Sequence, residues 1–298
     1  MKKKGILALS ITLGVILAVV LVFTMAFTLS VINIERTSLI KDINRSHLYY
    51  GGATVESVQN KILEDAEFTK GGNLLVMNFD RNIENIETKN PFVKVEKIVR
   101  RFPNKITVYY TEREPVALVS TTISGAYYVI DNELKVLAYV DNLETYKLPV
   151  IDNGKQYNSN LGKFIDDSTL QRQITSIVDG AYNAYGEKDA LMEDVLADAT
   201  KIRFYTDYED DARDGTRIEV TFNKKEGDHV VVATILSSKT KLKEKSAYLW
   251  KVFYTNLSQY DYSNDSTVVV YETIVDGTKK IVVADTTAAD SHEYPIND

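Results

Sequence analysis

NPFVKVEKIVRRFPNKITVYYTEREPVALV, residues Asn90–Val119, carries the pattern that decides the fold. Val93 and Val95 alternate with Lys94 and Glu96, the period-two signature of a strand with one buried face. The phase is lost across Lys97-Ile98-Val99, which predicts a bulge. Pro103 presets φ for the first corner of a turn and Asn104 suits the second. Ile106, Val108 and Tyr110 then share one face, and Thr107, Tyr109 and Thr111 the other. A charged exit, Glu112-Arg113-Glu114-Pro115, leads into the apolar run Val116-Ala117-Leu118-Val119. The hairpin holds no nucleophile beside a base and no cluster of metal ligands.

Upstream, Gly51-Gly52 breaks the chain and Thr54 is placed to cap a helix carrying Val55, Val58, Ile62 and Leu63 on one face. Gly71-Gly72 ends that segment. Asp80 can cap a second, shorter helix with Ile83 and Ile86 at i, i+3 spacing, which Pro91 terminates. Before the first helix, residues 37–50 read as an extended entry with Leu39, Ile40 and Ile43 as strand candidates. The predicted order is strand, helix, helix, strand, strand, with two helices on one face of a three-stranded sheet.

At the start of the chain, no charged residue occurs between Lys4 and Glu35. A bilayer core needs about 20 apolar residues, and this run is longer. A secretory leader has an apolar region of only about 7–15 residues, so an uncleaved anchor is the expectation. Lys2, Lys3 and Lys4 keep the N-terminus cytoplasmic by the positive-inside rule. Residues 1–4 are then a cytoplasmic tail, 5–33 a transmembrane helix, and everything later extracytoplasmic.

After Pro115 the pattern changes to short strands, VALVS, AYYVID and LKVLAYV, with a brief extended LPVID. Residues 168–185 form an amphipathic helix with Leu170, Ile174, Ile177 and Val178 on one face. A hairpin closes near Asp214-Gly215, VVVATIL is a strand, and a helix follows with Leu242, Leu249, Phe253 and Leu257 inward. The last hairpin turns at Asp276-Gly277. The fold class is α+β, with domains over 35–112 and 113–285 and a disordered tail over 286–298. KKIVVA, Lys279 to Ala284, alternates apolar residues and is followed only by that tail. Lys279, Lys280, Ile281, Val282, Val283 and Ala284 are the candidate partner-binding residues: the run reads either as a free sheet edge able to accept a partner's strand or as a satisfied internal strand.

Composition narrows function. The 298 residues are 44% apolar and 26% charged, a globular balance. The net charge is −7 even with the N-terminal lysines, which argues against a nucleic-acid partner. With no cysteine there are no disulfides and no thiolate metal sites. His47, His229 and His292 lie far apart without acidic neighbours at ligand spacing, so neither catalysis, cofactor nor metal is expected. Asp207 to Gly215 has the 1, 3, 5 carboxylate spacing of a calcium loop. Ala212 stands where that loop needs glycine and Ile218 where it needs glutamate, so the segment reads as a solvated hairpin loop. Arg100-Arg101 beside Lys97 reads either as a contact for anionic lipid or an acidic partner, or as a charged guard on a strand edge.

Taken in order, these residues resemble the FtsQ/DivIB family of bacterial cell-division proteins. The resemblance rests on the short N-terminus and single apolar helix, Gly72-Asn73-Leu74, Asp80, Asn90 to Val93, Phe102-Pro103, Glu112 to Ala117, and YYVIDNELKVL followed by Leu148-Pro149. It covers residues 1–150 well, and the remainder by element order. The family's turn glycine after Ile-Asp is absent; Glu133-Leu134 stands there. The resemblance implies a POTRA module (β-α-α-β-β) over 35–112, then a mixed β domain with packed helices. It further implies a non-enzymatic divisome scaffold in the bacterial cell membrane, single-pass type II and enriched at the septum. Its partners would be FtsL-like and DivIC/FtsB-like bitopic division proteins, linked to septal peptidoglycan synthesis. The alternatives are an anchored binding or sensor protein for a cell-wall ligand, or a POTRA-type assembly factor.

Overall fold

The computed structural model describes residues 2–38, 40, 42–49, 51–186, 190–196, 198–205, 216–223, 230–256, 266–285 and 290–295. Two compact units divide the chain, one of Met1–Ser38 with Asp42–Glu112 and the other of Leu39–Lys41 with Arg113–Asp298.

In the first unit, α1 (Lys2–Ala26) is followed by β1 (Val31–Arg36), α2 (Val55–Asp65), α3 (Asp80–Lys89), β2 (Val93–Arg101) and β3 (Lys105–Glu112). β3 is central, parallel to β1 and antiparallel to β2. The strand-helix-helix-strand-strand order matches the expected one, but its first strand lies earlier. The sequence reading placed a helix over 5–33 and strand residues near 39–43. Instead the helix stops at Ala26, and Ile43–Arg45 is a turn of 3-10 helix. The physical reason is that the long apolar run serves two purposes. Its last part, Val31-Ile32-Asn33-Ile34, alternates along β1 and packs Ile32 and Ile34 against the unit's two core clusters. Described apolar side chains on α1, among them Leu13, Leu17 and Met25, are exposed. Among the described residues no helix is long and apolar enough to cross a membrane.

Thr54 caps α2 as expected: its Oγ1 accepts from Ser57 N at 3.1 Å while Thr54 N donates to Ser57 Oγ at 2.9 Å. Val58 and Ile62 are buried, as is Ile86 of α3, against Val93, Val95, Val108 and Tyr110 of the sheet. Asp80 does not cap α3. It is the first helical residue, and its N–H donates to Asn78 Oδ1 at 2.8 Å. The bulge in β2 falls between Val95 and Lys97, at Glu96.

The second unit is one mixed ten-stranded sheet with helices. Its elements are β4 (Ala117–Ser120), β5 (Tyr127–Ile130), β6 (Val136–Val140), β7 (Val150–Asp152), α4 (Ser168–Tyr185), α5 (Met192–Val195), β8 (Ala199–Tyr205), β9 (Arg217–Asn223), β10 (Val230–Leu236), α6 (Leu242–Asn256), β11 (Ser266–Val275), β12 (Thr278–Asp285) and β13 (Asp290–Pro295). The strand order is β13-β12-β11-β10-β9-β8-β7-β4-β5-β6. The α+β class with a large mixed sheet agrees with the sequence reading. Of the disordered tail expected over 286–298, residues 290–295 are corrected: they form β13, which pairs antiparallel with β12, and 286–289 and 296–298 lie outside the described residues.

One apolar core runs the length of this sheet, from Val119 and Ile130 through Ile202 and Val220 to Val270 and Val283. On it pack Leu170, Ile174, Ile177 and Val178 of α4 and Leu242, Leu249 and Trp250 of α6. Gly180 of α4 faces α6 so closely that an added Cβ would lie 2.6 Å from Lys243 O and from Ser246 Cβ. Ser246 Oγ donates to Ile177 O at 2.9 Å, so the small pair Gly180 and Ser246 sets the helix separation.

Candidate protein-docking surface

The late strands are built by a tight hairpin. Asp276 and Gly277 have φ of 52° and 75°, the two successive left-handed residues that a two-residue hairpin loop requires. This fixes β12 against β11, pairing Lys279 with Ile274, Ile281 with Glu272 and Val283 with Val270. Alternation then sends Ile281 and Val283 into the core, and Val282, on the opposite face, is buried as well. Lys279 is exposed, while Lys280 and Ala284 are half-buried.

The other side of β12 is also paired. Ile281 lies opposite Tyr294, Val282 opposite Glu293, Val283 opposite His292 and Ala284 opposite Ser291. Lys280 Nζ meets Glu293 Oε2 at 2.7 Å across this seam. The free edge expected at Lys279 to Ala284 is thus occupied, and β13 is the outermost strand at this end of the sheet. A short polar strand, DSHEYP, carries no hydrophobic alternation, so sequence periodicity gave no signal for it.

A buried lysine ties α6 to these strands. Lys245 Nζ donates to Leu236 O at 3.0 Å and Ser237 O at 2.9 Å at the end of β10, and pairs with Glu272 Oε1 of β11 at 2.8 Å. Thr240 Oγ1 donates to the same carboxylate at 2.8 Å. Burial by itself would raise the Glu272 pKa, but the bonds from Lys245 and Thr240 outweigh it and hold the carboxyl below its ordinary range. Sequence reading missed Lys245, since a lysine in an amphipathic helix normally reads as surface.

At the far end of the sheet β6 is outermost. The chain at 162–165 covers its beginning: Val136 N donates to Lys163 O at 2.9 Å, and Gly162 N to Val136 O at 2.8 Å. Nearby, Glu133, Phe164, Ile165, Asp166 and Gln171 line an open cavity of about 360 Å³. Glu133 in that lining is engaged by Arg113, whose Nη1 lies 2.6 Å from Glu133 Oε2 and from Asp131 Oδ2. Lys135 sits over the Phe164 ring at 4.9 Å.

The histidines are dispersed. His47 stacks on Phe92 in the first unit, His292 lies on β13, and His229 falls outside the described residues. The Asp207–Gly215 loop likewise lies outside them. Among the described residues no group of three or more His, Asp or Glu is arranged to hold a metal ion. Among the described residues the outermost strands of this sheet are β13 and β6.

No protein-family model matches the chain. Curated relatives do. It is 27% identical over 159 residues to the cell division protein DivIB of Clostridium tetani, covering 50% of this chain and 59% of the relative. It is 32% identical over 91 residues to the cell division protein FtsQ of Myxococcus fulvus, covering 30% and 31%. It is 26% identical over 153 residues to DivIB of Clostridium acetobutylicum, covering 50% and 53%. The match therefore spans between about a third and three fifths of these relatives. They are DivIB and FtsQ cell division proteins, in agreement with the family resemblance read from the sequence.

Proposed function

We propose that this chain is a membrane-anchored scaffold of bacterial cell division, working through protein contacts and without catalysis of its own. The observation that carries the reading is the relationship to DivIB and FtsQ proteins joined to the element order of the first unit. In this reading α1 is the anchor, the unit ending at Glu112 is a POTRA module, and the ten-stranded unit presents the docking surface. The helical backbone over Lys2–Ala26, the charge-free sequence after Lys4 and the exposed apolar side chains of α1 support the anchor. The three lysines support a cytoplasmic N-terminus and an extracytoplasmic bulk.

The partners are bitopic division proteins of the FtsL and DivIC/FtsB kind, gathered at the septum beside the peptidoglycan-synthesising machinery. Holding several of them on one anchored body raises their effective concentration for one another. The docking area is the C-terminal end of the sheet, with Lys279 and Lys280 on its surface and the outer rim of β13 as the backbone edge. Ile281, Val282 and Val283 support it from within.

Partner capture tests the reading. Tagged full-length protein is recovered from its own membranes and its companions identified. The same is done with a variant ending after Asp285, which lacks β13, and with Lys279→Glu plus Lys280→Glu. Division proteins in the wild-type capture, reduced at least several-fold in both folded variants, are expected. A wild type that retains no division protein overturns the scaffold reading. Undiminished capture by the folded variants overturns the placement of the edge.

A further inference from the structure

We propose that the end of the first unit beside α1 is itself a membrane contact. Leu75, Val76 and Phe102 enter the headgroup–acyl boundary of an anionic bilayer, and Lys70, Arg101 and Lys105 meet its phosphates. The inference rests on α1 being the anchor, and goes beyond it by assigning lipid contact to residues outside the helix.

Two loops are held against the chain where α1 ends. On one side, Leu74 N donates to Phe27 O at 2.8 Å, Leu29 N to Gly72 O at 2.8 Å, and Gly71 N to Leu29 O at 3.0 Å. On the other, Ser30 N and Val31 N both donate to Asn104 O, at 2.9 and 3.2 Å. The rings of Phe27 and Phe102 meet edge to face at 5.5 Å. Both loops therefore lie within a few residues of Ala26, at the depth where a spanning helix leaves the hydrocarbon.

The first loop is tied by hydrogen bonds, and it leaves Leu75 and Val76 facing outward. Asn73 Oδ1 accepts from Leu75 N at 2.9 Å, and Arg100 Nε donates to Leu74 O at 2.8 Å. Arg100 also reaches Met77 O and lies over the Phe79 ring at 4.9 Å. Arg100 is thus a clamp that shapes this loop, while Leu74 beneath it is fully buried. The turn leaves Leu75 48% and Val76 80% exposed, and Phe102 on the neighbouring turn is 57% exposed. Apolar side chains fixed outward on ordered turns are a standing cost in water that a lipid phase removes.

Charge selects the lipid. Residues 68–78 and 97–105 contain Lys70, Lys97, Arg100, Arg101 and Lys105 and no Asp or Glu, in a chain whose net charge is −7. Basic groups near an anionic leaflet are drawn to it, and long cationic side chains reach headgroups while their stems stay apolar. An aromatic ring at the interface adds to this. Three side chains projecting from two tight turns suit insertion into a soft headgroup layer. A stable protein interface would need roughly 800 Å² from each partner.

The chain contains no cysteine, so single-cysteine labelling reports each place cleanly. Leu17→Cys, Val76→Cys, Phe102→Cys and, as the control, Ile274→Cys at an exposed position of the second unit are labelled with an environment-sensitive fluorophore. Each full-length variant is reconstituted in phosphatidylcholine vesicles with and without phosphatidylglycerol. Quenching by lipid-borne spin labels and by aqueous iodide is then read. Lipid quenching at Leu17, Val76 and Phe102, with iodide quenching confined to Ile274, is expected. Lipid quenching at Leu17 alone, with Val76 and Phe102 quenched by iodide as Ile274 is, overturns the inference and leaves the anchor standing. Shielding of Val76 from iodide without lipid quenching marks a protein contact and also overturns it. An aqueous signal at Leu17 overturns the anchor and the inference together. Adding Lys70→Glu with Arg101→Glu is expected to lower lipid quenching at Val76 several-fold in the phosphatidylglycerol vesicles. No change there overturns the phosphate assignment.

Discussion

Glu112 and Arg113 are covalent neighbours, both are buried, and each is ion-paired inside a different unit. Glu112 meets Arg36 of β1, while Arg113 meets Asp131 at 2.6 Å. The charged exit of the hairpin is thus two anchors placed back to back. Asp131 Oδ1 also accepts from Glu133 N at 2.9 Å and Lys135 N at 2.8 Å, so Arg113 fixes the whole turn between β5 and β6. Burial pushes the Asp131 carboxyl up, against the Arg113 guanidinium that favours its charged form. Arg113→Ala leaves that carboxyl buried without its guanidinium, a change that costs about 3–5 kcal/mol in comparable sites. Hydrogen exchange is expected to show lost protection in β4–β6, with β2 and β3 unchanged. Equal loss in both groups of strands would contradict separate anchoring.

Gly180→Ala is expected to destabilise the second unit although alanine is the better helix former by about 1 kcal/mol. The new methyl would sit 2.6 Å from a backbone carbonyl, at Lys243, which cannot swing aside. Overpacking of this kind costs about 1–3 kcal/mol, read as a lower urea midpoint. Ser246→Gly added to the same variant removes one of the two clashes and recovers part of the loss.

Lys245→Met removes the donor to Leu236 O and Ser237 O and leaves the Glu272 carboxylate with Thr240 Oγ1 and without its cation. Leaving such groups unsatisfied is expected to cost about 2–4 kcal/mol. Glu272→Gln keeps a carbonyl for Lys245 to bond and is expected to cost less than half as much. Urea unfolding of both variants checks the order, and equal losses would place Lys245 in packing alone.

The β2–β3 hairpin, the two helices of the first unit and the Thr54 cap were legible because their alternation and capping are local. What escaped the sequence were pairings that need the whole sheet. β1 was hidden inside an apolar run that reads as uninterrupted membrane helix, because Val31 to Ile34 are as apolar as what precedes them. β13 was hidden because its polar residues gain their strand from β12 and not from their own pattern. Leu134 is instructive: it stands where the family pattern has glycine and takes a φ of 63°, a left-handed conformation strained for a branched side chain. Its side chain is nevertheless buried in the core, which offsets that strain. The candidate docking residues were found as a strand, but their being one strand inside the edge was not readable from alternation.

The sheet has a narrow waist, and pH should act there. β7 is three residues long, yet it joins β4 on one side to β8 on the other, so every strand from β8 to β13 meets β4–β6 through it. Asp152 at its end pairs with Lys201 at 2.8 Å and Arg203 at 2.9 Å of β8. The Lys201 bond, with Arg203 adding to it against the opposing effect of burial, holds the Asp152 carboxyl below its ordinary range. A carboxyl with a depressed folded pKa contributes stability that is present above its unfolded value and is lost as pH falls through the folded one. All three side chains are more than a third exposed or nearly so, and solvent screening limits the contribution to about 0.2–1 kcal/mol. Asp152→Asn is therefore expected to lower the unfolding midpoint slightly at neutral pH and to make it fall less steeply below the ordinary aspartate range. Added salt should shrink the difference between the two proteins. Parallel midpoint curves for wild type and variant across the acid range would show that backbone pairing alone, and not this ion cluster, holds the waist closed.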